Sequence, residues 1–295
     1  MNNEPRIGFI GFGEAGYHLA KGLRRAGLAH INAFDIHIAT TGRGEKIRQR
    51  ARESEVSLCE SQAELAAACN VLFSTVTADQ AEVAAEQNAP YLNERHLYAD
   101  LNSVSPALKQ SIGRMVSATG ARFVEIAIMS PVKPHLHRVP MFLGGPHAPE
   151  LREMLAPFDM KLEIVSEQIG TAAAIKMCRS IVVKGLEALV FECVLAAVPY
   201  EADQRVFATL EETMPGMNWQ RLAGYMVGRV IEHGHRRARE LEEVAATLRA
   251  IGVDPLMTEA SAKRQDWGAA LGLLPQFGGQ PPDDYRLVVE AIAKK

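Results

Sequence analysis

The sequence predicts a doubly wound, mostly parallel α/β domain over residues 1–165. An all-helical domain follows over 166–295, and one long helix joins the two. Three observations predict this. Short β-rich runs alternate with amphipathic runs up to about Val165, and parallel neighbours need such crossover segments because a tight turn cannot join them. Beyond Ser166 the strand signal fades. From Gly170 to Val198 the chain has no proline and is apolar on all sides, as a helix buried between domains or subunits would be.

The strands expected in order are 6–10 (RIGFI), 30–35 (HINAFD), 56–59 (VSLC), 70–75 (NVLFST), 96–101 (HLYADL), 122–126 (RFVEI) and 139–143 (VPMFL). Runs such as AELAAAC, AEVAAEQ and PALKQSIGRMVSA supply the helices between them. Ser105-Pro106 suits the start of one, with serine as N-cap and proline in the first turn. Pro131, Pro134 and Pro140 interrupt the alternation and predict a loop before the last strand. After the long helix, further helices are expected at about 200–213, 218–232, 235–251, 256–272 and 284–293.

Composition narrows the function. The 295 residues are 47% apolar and 23% charged, with a net charge of −3, so no concentrated basic face points to nucleic acid. No apolar run reaches the roughly 18 to 20 residues of a membrane span. MNNEPR enters the first strand too early for a secretory signal, so a cytoplasmic protein is expected. Cys59, Cys69, Cys178 and Cys193 are far apart among apolar neighbours and are expected to be small buried side chains. No C-x-x-C pair suggests zinc or redox chemistry.

The stretch IGFIGFGEAG carries the chemistry. Gly11, Gly13 and Gly16 stand as G-x-G-x-x-G after a strand and before a helix, and Asp35 closes the next strand. In that pattern Gly11 makes the tight turn, Gly13 lets the backbone approach a pyrophosphate, and Gly16 packs helix on strand. The free N–H groups of the helix face the anion. A dinucleotide is therefore expected along Gly11, Phe12, Gly13, Glu14 and Ala15, and against Thr75, Val76 and Thr77 after the fourth strand. Asp35 is placed to accept from an adenosine ribose, which favours NAD over NADP. Against that, Arg43, Lys46, Arg48 and Arg50 follow, and Arg43 in its Thr-Thr-Gly-Arg-Gly turn is within reach of a phosphate.

Lys176, Ser180 and Lys184 recur every fourth residue at the start of the long helix and share one face. A lysine partly withdrawn from water at a domain junction loses preference for its ammonium form and suits general acid/base work on an alcohol or carbonyl. Lys184 is expected to reach solvent or a subunit partner instead.

GFIGFGEAG, DLNSVSP, VEIAIMSPV and GTAAAIKMCRS, in this order and spacing, resemble the β-hydroxyacid dehydrogenases, over most of the chain up to about residue 200. That group includes 3-hydroxyisobutyrate and 6-phosphogluconate dehydrogenases. The resemblance implies a Rossmann domain, a helical domain used in homodimerisation, and hydride transfer between NAD(P) and a small hydroxy or oxo acid. It also implies catalysis by a lysine that maps onto Lys176. It places Asn102 beside nicotinamide and substrate. Met129-Ser130-Pro131 stands where the family holds a substrate carboxylate on Ser-Gly-Gly, and proline removes one N–H from that nest. Ser180 replaces the asparagine that usually follows the lysine. These departures resemble a branch with its own type of helical domain.

Other groups complete the reading. His135 and His137 lie without acidic partners and are expected at a surface or pocket rim, so no metal is expected. His235 and Arg239 begin a charged helical run, either as a solvated face with i,i+4 pairs or as a clamp on a substrate carboxylate. Two alternatives to the dehydrogenase stand: an imine (C=N) reductase on the same architecture, and a dinucleotide-binding module without catalysis.

Overall fold

A computed structural model describes residues 5–294. Two compact units divide the chain at Lys176, Met1–Lys176 and Met177–Lys295.

The first unit is built on eight strands: β1 (Ile7–Ile10), β2 (Ile31–Phe34), β3 (Ser57–Leu58), β4 (Val71–Ser74), β5 (Leu97–Asp100), β6 (Arg122–Ile128), β7 (Met141–Gly144) and β8 (Leu162–Ser166). They lie in the order β3-β2-β1-β4-β5-β6-β7-β8. All neighbours are parallel except β6 and β7. Crossovers are made by α1 (Glu14–Arg25), α2 (Arg43–Ser54), α3 (Gln62–Ala68), α4 (Ala81–Asn88) and α5 (Pro106–Ser117). α5 starts as expected: Ser105 Oγ accepts from Leu108 N, and Pro106 fills the first turn.

Successive side chains of a strand point to opposite faces, and here both faces are covered. Ile7, Phe9, Val71, Phe73, Leu97 and Ala99 enter one core, while Ile10, Leu72 and Tyr98 enter the other. That explains why these strands read as continuous apolar runs. Phe9 meets Phe73 edge-on at 5.5 Å, and truncating either ring to alanine would cost about 3–5 kcal/mol.

Beyond β6 the structure departs from expectation. The proline-rich segment is not a plain loop: it forms α6 (Val132–His135) and a 3-10 turn, Leu136–Arg138. His137, expected at a surface or rim, is buried against α1, where a Cβ on Gly22 would overlap its ring. Burial pushes its pKa down. α7 (Ala148–Leu155) then leads to β8, a strand the sequence reading did not foresee. β8 is half-buried and carries Glu163, so it lacks the continuous apolar run that marks the central strands.

α8 (Thr171–Ala197) runs from the first unit into the second, as the sequence predicts. The second unit continues with α9 (Asp203–Thr213), α10 (Trp219–Ala250), α11 (Leu256–Ala270) and α12 (Tyr285–Ala293). The two helices expected at 218–232 and 235–251 are one helix. Gly234 does not break it; it clears space for α11, because a Cβ there would overlap the carbonyl of Gln265. Lys184, expected to reach solvent or a partner, is buried within this unit at 2.7 Å from Glu240. Arg237 and Glu187 form a second buried pair beside it, completed by Gln265. No helix among the described residues is long and apolar enough to cross a membrane.

The cysteines divide. Cys59 and Cys69 are buried as expected, whereas Cys178 is exposed and Cys193 half-buried. Burial pushes the Cys59 and Cys69 thiols up to about 11 and about 12. Since the thiolate is the reactive form, native protein should react promptly with a thiol reagent at Cys178, and Cys59 and Cys69 should react only on unfolding. Peptide mapping after a short iodoacetamide pulse checks this; early modification of Cys69 would contradict the packing.

Candidate functional site

The glycine turn between β1 and α1 lies where the strand order reverses, since β1 is flanked by β2 on one side and β4 on the other. Crevices at such a switch point, at the carboxyl ends of parallel strands, receive ligands in open α/β sheets. Gly11 adopts a positive φ of 81°. A Cβ there would lie 2.7 Å from Val76 Cγ1, and one on Gly16 would lie 2.9 Å from Thr75 Oγ1. Around Gly13 there is nothing within 4 Å. Gly11 and Gly16 are thus required by the fold itself, whereas Gly13 leaves space open for something else.

The turn is held from three sides. Gly11 N donates to Phe34 O at 2.8 Å, and Thr75 Oγ1 donates to Gly11 O at 2.6 Å. Asp35 Oδ2 accepts from Phe12 N at 2.8 Å, and Asp35 Oδ1 accepts from His37 N at 2.9 Å. The Phe12 side chain turns into the core, so only its backbone faces the crevice. α1 begins at Glu14 with Gly13 as N-cap and no side chain over its first N–H groups. A cavity of about 910 Å³ opens in front of the turn. Its walls include Gly11, Phe12, Gly13, Glu14, Ala15, Asp35, Thr75, Val76 and Thr77, so nine of the expected cofactor residues face one space. The tenth, Asn102, is not on that wall.

Asn102 follows β5 and is buried. Its Nδ2 donates to Ser74 Oγ at 2.8 Å, and its N–H donates to Asp100 Oδ1 at 2.9 Å. Asp100 in turn holds Lys109, whose Nζ is 3.1 Å from Oδ2 and donates to the Asp100 carbonyl at 2.7 Å. Next to Asp100 in register stands Glu125, a residue the sequence reading passed over. Its Oε1 accepts from Gly170 N at 2.7 Å and Ala172 N at 3.0 Å, and Oε2 accepts from Ala173 N at 3.4 Å. Burial pushes the Glu125 carboxyl up, against the pull of these N–H groups and of Lys109. Glu125 therefore satisfies the first turn of α8, one turn before Lys176. The available signal was a lone carboxylate in an apolar strand, VEIAI.

Lys176 and Ser180 are both half-buried and stand one turn apart on α8. Met129 and Ser130, also half-buried, follow β6, with Met129 N donating to Pro140 O at 2.9 Å. On α10, His235 and Arg239 are exposed, and each has a carboxylate of its own: Asp266 at 2.7 Å and Glu242 at 2.8 Å. The Glu242 pair is i,i+3 within α10, and the Asp266 pair reaches across to α11, so neither is the i,i+4 pair expected of a solvated face. Among the described residues no group of three His, Cys, Asp or Glu side chains gathers as a metal site would require.

Two family models match the chain. Residues 6–102 match "NADP oxidoreductase coenzyme F420-dependent", and residues 197–268 match a domain of unknown function, DUF1932. A conserved hypothetical protein from Sinorhizobium meliloti is 33% identical, with a TM-score of 0.84 over 99% of this chain and 97% of its own. A conserved protein described as structurally similar to 3-hydroxyacid dehydrogenases is 28% identical, with a TM-score of 0.76 over 90% of this chain and 97% of its own. The mitochondrial 3-hydroxyisobutyrate dehydrogenase of Drosophila melanogaster is 26% identical over 72% of this chain and 64% of that protein.

The buried charges behind the site are testable. Replacing Lys109 with methionine leaves Asp100 charged and unpaired in the interior, a change that costs about 3–5 kcal/mol. Urea denaturation of Lys109→Met should show a loss of that size, and a loss below about 1 kcal/mol would mean the pair is solvated.

Proposed function

We infer, for a chain that belongs to the β-hydroxyacid dehydrogenase superfamily, an NAD(P)-dependent oxidoreductase acting on a small polar hydroxy or oxo acid. The observation that carries this reading is the space at Gly13: two glycines of the turn are demanded by packing and the third is not, at the mouth of a 910 Å³ cavity on the strand switch point. A diphosphate laid there would meet the uncapped N–H groups of α1.

When bound, the nicotinamide supplies or accepts the hydride. Lys176 is assigned the proton: in the oxidative direction its amine takes the substrate hydroxyl proton, and in reduction it returns one to the carbonyl oxygen. Ser180, one turn along α8, is assigned to orient that oxygen. Asn102, whose amide is fixed by Ser74, is assigned to the nicotinamide side of the substrate. Met129 and Ser130 border the acid end, which Pro131 deprives of one backbone donor. A homodimer is supported by Val182 and Leu189, large apolar residues seven apart on α8 that are 69% and 56% exposed.

Gly13→Ala separates binding from folding. Its Cβ meets nothing in the protein, so stability should fall by no more than about 1 kcal/mol, the cost of alanine at an N-cap, while NAD(P)H affinity should drop by about tenfold or more. Thermal denaturation and nucleotide fluorescence titration read the two; unchanged affinity would remove the cofactor from this turn. Lys176→Ala should keep cofactor affinity and lower turnover by about 10²–10⁴. A panel pairing short hydroxy acids with cyclic imines measures that turnover and separates the C–O from the C=N reaction. Full activity in the variant would end the lysine assignment.

A further inference from the structure

The cavity in front of the glycine turn extends past Asp35 to a corner formed by the end of β2 and the start of α2. Four cationic or ionisable side chains line it there: His37, Arg43, Lys46 and Arg50. We propose that this corner receives a phosphomonoester on the 2′ carbon of the adenosine ribose, so that the chain takes the 2′-phosphorylated dinucleotide. The proposal rests on the dinucleotide reading above and adds to it the identity of the 2′ group.

Asp35 is the residue that argues the other way, because a free carboxylate at the end of β2 favours a ribose hydroxyl and repels a phosphate. Here that carboxylate is engaged inside the protein. Each of its oxygens accepts a backbone N–H, one from the glycine turn and one from the segment that follows β2. It ties the two loops together, and those N–H dipoles offset part of its charge.

The opposite wall is cationic and held in place. Gly42 turns the chain with a φ of 75°, and a Cβ on Gly44 would overlap the carbonyl of Ile38, so the first turn of α2 is pressed onto the segment after β2. Arg48 Nη1 donates to the same Ile38 carbonyl at 2.6 Å. This closeness puts Arg43 beside His37, with Nη1 3.3 Å from Nε2. Among the described residues, no carboxylate forms a salt bridge with Arg43, Lys46 or Arg50. The other carboxylates on the cavity wall, Glu14 and Asp79, belong to α1 and to the segment after β4. Arg43 and Lys46 also stand in the first turn of α2, where the helix dipole favours an anion. Ile36, 60% exposed, and Val83, 40% exposed, line the same cavity and offer apolar faces to an adenine ring. A guanidinium fork, an ammonium and an imidazole facing one corner next to such faces fit a phosphate with three acceptor oxygens.

Calorimetric titration of the full chain with three nucleotides tests this without knowledge of the substrate. Adenosine 2′,5′-bisphosphate should bind about tenfold tighter than adenosine 5′-monophosphate and than the equally charged 3′,5′-bisphosphate. Arg43→Ala, an exposed position that the fold tolerates, should abolish most of that preference and leave 5′-monophosphate binding unchanged; Lys46→Ala should reduce it. Equal binding of the 2′,5′ and 3′,5′ compounds would overturn the proposal in favour of an unspecific cationic surface. Binding of the 2′,5′ compound no tighter than the monophosphate would overturn it in favour of a ribose hydroxyl held by Asp35. If none of the three binds, nor NAD or NADP, the dinucleotide reading itself fails and the proposal falls with it.

Discussion

The chain leaving β1 must reverse into α1 within a space already filled by the ends of its neighbours. Val76 lies against Gly11, and Thr75 against Gly16, so side chains are excluded at both points by contact with the strand that closes the switch. Asp35 and Thr75 then fasten the turn from either side. The crevice is thus a consequence of sheet topology: β1 sits between β2 and β4, and the loops leaving them diverge. The proposed cofactor contacts at residues 11–15, Asp35 and residues 75–77 all depend on that divergence.

A second constraint is the burial of charge at the ends of β5 and β6. Asp100, Lys109 and Glu125 are almost wholly withdrawn from water, and each is held by the others or by backbone. Such groups contribute little net stability compared with apolar replacements, but removing one partner is costly. What they provide is geometry. Asp100 fixes the loop that carries Asn102, and Glu125 fixes the beginning of α8. The residues assigned to the reacting atoms are therefore held by neighbours that do not touch those atoms.

Much of this was legible in the sequence. The central strands were readable because burial on both faces writes an unbroken apolar run, and the glycine turn because three glycines at fixed spacing follow a strand and open a helix, two of them with no room for a Cβ. What escaped had weaker local signals. β8 is half-buried and carries Glu163, so its pattern matches no template cleanly. α10 looked like two helices because Gly234 is a helix breaker by propensity, yet here close packing with α11 is what requires it. Lys184 resembled a solvent-reaching lysine until α10 supplied Glu240. Glu125 was overlooked because its partners, the N–H groups of residues 170–173, are far along the chain and invisible as side chains. The positions of Lys176 and Ser180 on one helical face were readable from spacing alone.

α8 has mechanical consequences as well as chemical ones. Its 27 residues make a rod about 40 Å long at the usual rise, clamped near one end by a single carboxylate. Lys176 sits within one turn of that clamp, so the proposed proton carrier rides on the anchored end of the rod rather than on its free length.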